Sequence, residues 1–324
     1  MPSKRRKSDS DVQQSLFAFE HSPAAPSDTN LFTAAPVKHN RSKAAEIGVV
    51  RTEPIALRAD GIRVGTSSFT ATGWESAFYP PGLRQADRLS YYASKYNTVE
   101  IDSTFYGTPA PKTVQGWASR TPPGFLFAAK IPQVITHEKI LVNCEAEFVE
   151  FLRVMDGFGD KLGPLLIQFG YFNDRTFRTQ NDFIAVLAPF LKKLPTGYKF
   201  ALEIRNKAWL DQRFTDLLRQ YGVALALIDH SWMPRPWEVE GKFDWATADF
   251  TYIRWLGDRK EIEGVTENQW VKTVVNRKED LTNWAEIFRS FVGRKLQIFA
   301  YANNHYSGYG PGTIKLFWSL YDHV

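Results

Sequence analysis

Cysteine is almost absent: Cys144 stands alone among 324 residues, so no internal disulfide and no cysteine-based metal cluster can form. It reads as an ordinary helix residue. Histidine is scarce as well, with six in the chain. Only His137, His230 and His305 fall near the ends of β-like runs, and none shows a His-x-x-x-His or similar spacing. That argues against a multinuclear zinc centre and leaves room for one divalent ion among Glu100, Asp102 and Glu203. No apolar run approaches the roughly 18–20 residues of a membrane span, and the first residues lack the apolar core of a secretion signal. The expectation is a cytoplasmic protein with no membrane association and no cofactor. A Gly-x-Gly-x-x-Gly fingerprint is also missing. After the first β-like run the chain has Gly65-Thr66-Ser67-Ser68-Phe69, which disfavours an open doubly wound dinucleotide-binding sheet.

What is present divides into two parts. Residues 1–60 are rich in Ser, Ala, Pro and charge and show no sustained period, so a disordered tail is expected there. The formal net charge of +5 is unevenly spread, because Lys4, Arg5, Arg6 and Lys7 form a short basic run. Such a balance permits a nucleic-acid or phosphate partner without demanding one. Within the tail, Gln13-Gln14-Ser15-Leu16-Phe17 resembles the short motif by which bacterial proteins dock on the replication sliding clamp. A chance match in a five-residue window is the alternative.

From residue 61 to 324 the pattern changes. Eight short, nearly continuously apolar runs appear at 62–65, 97–101, 125–130, 165–169, 199–203, 223–228, 251–255 and 297–301. Runs of this kind are expected for parallel strands covered on both faces. Segments with apolar spacing of three and four lie between them, such as Phe148/Leu152/Met155, Phe183/Leu187/Leu191 and Leu281/Trp284/Phe288. Eight alternating strand and helix signals predict a (β/α)₈ barrel, a fold of about 250 residues with its site at the C-terminal ends of the strands. The sixth crossover, 229–249, has little helical period and holds two prolines and three tryptophans, so a long irregular loop with at most one short helix is expected.

Those strand ends carry Ser67 and Ser68, Glu100 and Asp102, Lys130, Gln168, Glu203 and Arg205, Asp229, Arg254, and Asn303 with Asn304. Glu100 and Glu203 form a candidate acid–base pair with Lys130 and Arg205 near enough to tune them. Lys130 is open to a Schiff-base role or a phosphate clamp, and simple pairing with Glu100 is the favoured alternative. The stretch from Asn303 to Gly312 feeds a glycine-rich turn into a helix start, which suits an anion. Tyr106, Trp209 and neighbouring aromatics suit stacking on sugars or bases, or packing under loops. A self-neutralising ion-pair network that plugs the barrel is the structural alternative for the charged set.

Many of these residues stand in order within longer motifs: Gly65-Thr66-Ser67, Trp74, Phe78-Tyr79-Pro80, Val99-Glu100-Ile101-Asp102-Ser103-Thr104-Phe105-Tyr106, Trp117, Phe127-Ala128-Ala129-Lys130 and Ile135-Thr136-His137. Gln168-Phe169, Glu203-Ile204-Arg205, Trp209, Tyr252-Ile253-Arg254 and Asn303-Asn304 continue the set. Together they resemble the YecE-like family, also called domain of unknown function 72, over about residues 62–322. The resemblance implies a barrel and assigns no reaction. Two departures stand out. The family usually has asparagine where this chain has Asp102, which adds negative charge to the pocket, and Phe169-Gly170-Tyr171 replaces a Leu-Pro-Pro that often follows the fourth strand.

The working expectation is a metal-independent enzyme, of hydrolase or isomerase type, acting on a small anionic ligand such as a phosphorylated sugar or nucleotide. Glu100 and Glu203 transfer protons, and Lys130, Arg205 and Arg254 act as clamps. Gln168, Asn303 and Asn304 orient hydroxyls, His137 gates or donates a proton, and Asp102, Tyr106 and Trp209 complete the binding set. One rival is a nucleic-acid-binding or repair-associated protein tethered to the clamp through Gln13, Leu16 and Phe17. A non-catalytic ligand sensor is another.

Overall fold

The computed structural model describes residues 61–239 and 241–322. Eight parallel strands are placed there: β1 (Ile62–Thr66), β2 (Thr98–Ile101), β3 (Leu126–Lys130), β4 (Leu162–Gln168), β5 (Phe200–Glu203), β6 (Ala224–Asp229), β7 (Phe250–Trp255) and β8 (Gln297–Ala302). Hydrogen-bonded neighbours run continuously from β2 through β8 to β1. The seam between β1 and β2 is tightened by a parallel bridge at Ser67 and Glu100, with the Ser68 N–H donating to the Glu100 carbonyl at 2.8 Å.

Side-chain size explains how that seam closes. A Cβ on Gly65 would stand 2.1 Å from the Thr98 carbonyl oxygen, so only glycine lets β1 approach β2 there. Where direct pairing fails, the buried Tyr92 hydroxyl accepts from the Thr66 N–H at 2.8 Å and donates to the Thr98 carbonyl at 3.2 Å. A side chain thus satisfies two backbone groups that the ladder leaves open.

Inside the barrel, size alternates by sector. Ala128, Ala201, Ala224 and Ala226 on β3, β5 and β6 leave the space that Phe250, Tyr252, Phe299 and Tyr301 fill from β7 and β8. The helices cover the outer face with leucine and phenylalanine at the predicted spacing. Thr179 and Asp182 form a capping box on the helix Gln180–Lys192, and Asp211 caps Gln212–Gln220 through the Phe214 N–H. Among the described residues of the sixth crossover, one short 3₁₀ turn, Pro236–Glu238, is the regular structure, in line with the expected irregular loop. Cys144 corrects its expected place: it is a buried residue just before the helix Glu145–Met155, not within it. The tail at 1–60 lies outside the described residues.

Candidate active site

Alternation along a strand sends every second side chain inward, so the layer above Tyr252 and Tyr301 consists of the next inward positions: Glu100, Gln168, Glu203 and Arg254. Arg254 is 2 % exposed and bridges two carboxylates, donating to Glu203 Oε2 at 2.6 Å and to Glu100 Oε1 at 2.9 Å. Glu100 also accepts from Ser67 Oγ at 2.8 Å and from Tyr252 Oη at 2.6 Å. Glu203 receives a further bond from Arg205 Nε at 3.1 Å. Burial opposes the charge on Glu203, but Arg254 and Arg205 outweigh it and hold its pKa down at about 2. Burial likewise opposes the charge on Arg254, and Glu100, Glu203 and Asp102 overcome it, so the guanidinium stays ionised. It occupies the place between the two glutamates that a divalent cation would take, and the described residues include no group of three or more His, Cys, Asp and Glu side chains arranged for a metal.

Above this floor sit partly exposed groups. Lys130 pairs with Asp102 at 2.8 Å, which corrects the expected pairing with Glu100, whose lone pairs are taken by Arg254, Ser67 and Tyr252. Burial works against the Asp102 carboxylate, yet Lys130 and Arg254 hold its pKa below the ordinary value. The 3₁₀ turn Asp102–Phe105 that carries it is pinned to β3 by Thr104 Oγ1, 2.8 Å from the Lys130 carbonyl. Lys130 Nζ lies 5.7 Å over the Phe105 ring. His137, on a π-helical turn at Val134–Glu138, meets the same ring edge-on at 5.0 Å, with Nδ1 at 2.8 Å from Thr136 Oγ1. Tyr106 is exposed beside them.

The other side of the mouth is built from β4, β5 and β6. Gln168 is the Cα partner of Glu203, so its amide points the same way. It is 3 % exposed, and neither amide atom finds a partner among the described residues. Arg205 spends one donor on Glu203 while its two terminal nitrogens meet no acceptor there. His230, just past β6, is stacked on Trp232 at 4.2 Å; burial and the nearby Arg205 depress its pKa to about 4. Asn206 bonds both the N–H and the carbonyl of Phe172, at 2.9 and 2.8 Å, and so fixes the loop that follows Gln168.

With that geometry in view, the family model described as "Protein of unknown function DUF72" matches residues 63–323. The chain belongs to the DUF72 family. It is 29 % identical to the UPF0759 protein YecE of Escherichia coli over 44 % of this chain, and so spans about half of that relative's length, 52 %. It is 23 % identical to the UPF0759 protein YunF of Bacillus subtilis over 78 % of this chain and 93 % of the other. Crystal structures of DUF72 family proteins share the fold. One from Thermotoga maritima has a TM-score of 0.59 at 22 % identity, covering 79 % of this chain and 96 % of that one. One from Enterococcus faecalis has a TM-score of 0.59 at 18 % identity, covering 81 % and 96 %.

Not every expected residue of this DUF72 barrel reaches the mouth. Trp209 stacks on Phe183 and Phe172 at 5.5 and 6.1 Å, in the layer between strands and helices. Asn303 caps the short helix Asn304–Ser307, its Oδ1 accepting the His305 N–H at 3.0 Å and lying 2.7 Å from His305 Nδ1. Asn304 Oδ1 accepts the Gly310 N–H at 2.9 Å, filling the first amide of the helix Gly310–Tyr321 that the glycine-rich turn feeds. A Cβ on Gly308 would stand 2.7 Å from Val274, so that turn is glycine-rich to admit the 272–275 segment lying on it. Asp229 turns outward, accepting from Arg235 Nε, Trp284 Nε1 and Tyr306 Oη at 2.7–2.8 Å. Tyr252, part of the Tyr252-Ile253-Arg254 motif, is a site residue the sequence reading did not assign to the pocket. The signal was its position two residues before Arg254, on the same inward face. Gln13, Leu16 and Phe17 lie outside the described residues.

Proposed function

We propose that the protein is a metal-independent acid–base enzyme acting on an anionic, phosphorylated sugar or nucleotide at the C-terminal mouth of the barrel. The observation that carries this reading is Arg254, buried and shared between Glu100 and Glu203 beneath the partly exposed Lys130, Asp102 and Arg205. A plug of matched pairs would leave no polar head unused. Here three cations balance three carboxylates across the cluster, yet the terminal nitrogens of Arg205 and the amide of Gln168 are spent on no neighbour among the described residues.

The roles follow from the surroundings. Glu203, held ionised, is a base or an anchor and not a proton donor at neutral pH. The Lys130–Asp102 pair is the part of the cluster with solvent access at both ends, so Lys130 adds positive charge to the path of an anion entering the mouth, partly cancelled by Asp102. Proton delivery falls to Lys130 of that pair and not to the ionised Asp102, with His137 close behind Phe105.

Incubation with phosphorylated sugars and nucleotides in deuterated buffer, followed by proton NMR, tests the reading. Deuterium uptake or bond cleavage in a bound ligand, lost in Glu203→Gln, is the expected result. A ligand that binds and emerges chemically unchanged makes the protein a sensor, and no binding by any of them removes the proposal.

A further inference from the structure

Three unused polar heads come from consecutive strand ends. Gln168 follows β4, Arg205 follows β5 and His230 follows β6, and all three border Glu203 through register, hydrogen bonding or charge. Gln168 and His230 are 3 % and 6 % exposed; the amide of one and Nε2 of the other meet no partner among the described residues, and neither is fully buried, so both heads open to the mouth. Polar heads that open to solvent only at the mouth and are spent on no neighbour are groups a ligand can take up without breaking an existing bond.

We infer that Gln168, Arg205 and His230 form the ligand subsite, in which the terminal nitrogens of Arg205 take a phosphate while the Gln168 amide and His230 Nε2 take hydroxyls of the attached sugar. This rests on the reading of the mouth given above and narrows it to sugar phosphates over nucleotides. Charge supports the first assignment. A guanidinium fork fits two phosphate oxygens, and Glu203 holds Arg205 by Nε alone, which leaves the fork outward. Chemistry supports the second, since an amide and an uncharged imidazole each donate or accept as a hydroxyl requires.

The choice against a nucleotide comes from the aromatic planes of this sector. Trp232 is stacked on His230 at 4.2 Å, and Trp209 on Phe183 and Phe172. A base entering beside Arg205 would find those rings engaged. On the β7–β8 side, where barrels commonly hold phosphate, Asn304 already bonds the Gly308 and Gly310 amides and residues 272–275 pack against Gly308.

The test is calorimetric titration of the full chain with inorganic phosphate, ribose 5-phosphate, glucose 6-phosphate, the two unphosphorylated sugars and AMP. At least one sugar phosphate is expected to bind more tightly than phosphate, its parent sugar or AMP. Arg205→Ala should weaken every phosphate-bearing probe about tenfold or more, the loss of one charged hydrogen bond. Gln168→Leu and His230→Phe should bring the sugar phosphate down about tenfold towards inorganic phosphate, whose affinity they leave alone. Should a variant fail to fold, the His230 Nε2 resonance of the unaltered protein, shifting on addition of the sugar phosphate and not of phosphate alone, replaces it. Sugar phosphates that bind equally well to all three variants overturn the subsite and leave the mouth reading intact. A preference for AMP overturns the sugar assignment, and no binding by the unaltered protein overturns both.

Discussion

Lys130 reaches past Glu100 to pair with Asp102 at 2.8 Å, and Arg254 takes the glutamate instead. The charged layer is therefore graded by depth: a buried, hydrogen-bonded floor of Glu100, Arg254 and Glu203, in which Arg254 Nε has no acceptor among the described residues, and a looser pair at the solvent edge. The two levels respond differently to substitution.

Arg254→Met leaves two buried carboxylates without their shared cation. A loss of about 3–5 kcal/mol is expected, the usual cost of stranding a buried charge, read from urea unfolding. Arg254→Lys keeps the charge but has no fork to span both glutamates, so it should recover only part of that loss. A cost below about 1 kcal/mol for the methionine variant would show that the bridge does not hold the floor together.

Asp102→Asn acts at the edge. Its carboxylate is partly exposed, so stability should change by no more than about 1 kcal/mol. Removing its charge frees Lys130, and the affinity for inorganic phosphate should rise several-fold by calorimetry. Unchanged affinity would mean that Lys130 does not meet the anion.

Acid should act in two windows. The His230 pKa is about 4 in the fold against an ordinary 6.5, and that of Glu203 is about 2 against 4.5. In each window the unfolded chain binds a proton that the folded one refuses, so stability rises with pH there and is lost as pH falls. For His230 the loss runs from about pH 6.5 towards 4, opposed by Asp258, Glu203 and Asp229 and assisted by burial and Arg205. For Glu203 it runs from about 4.5 towards 2. Urea midpoints against pH should show the upper window disappear in His230→Phe; a wild-type midpoint that stays flat between 6.5 and 4 contradicts the buried, uncharged imidazole.

Tyr92→Phe removes the hydroxyl that closes the β1–β2 seam. The Thr66 N–H and the Thr98 carbonyl then lose their partner, at a cost of about 1–3 kcal/mol. Amide exchange at Thr66 should accelerate more than at Gly65, whose position in the alternation faces β8. Equal protection at both positions would show the seam is held elsewhere.

The barrel was legible because each strand is a short apolar run with a polar residue at or beside its C-terminal end. The clearest boundary error is β4, which begins at Leu162, three residues before the predicted run, because Gly163 and Pro164 read as a break. Which polar residues point inward was harder to read. A strand buried on both faces has no alternation to read, so Asp229 looked like Glu203 although one faces the helices and the other the barrel axis. Pairing was harder still. Arg254 is 154 positions from Glu100 and 51 from Glu203, and only closure of the barrel brings the three together.

A crystal structure grown in inorganic phosphate tests the central claim most directly. The account predicts Arg254 within hydrogen-bond reach of both Glu100 and Glu203, with phosphate density at the Arg205 fork beside Gln168. Arg254 turned away, with each glutamate paired to a different cation and no density at the mouth, would contradict it.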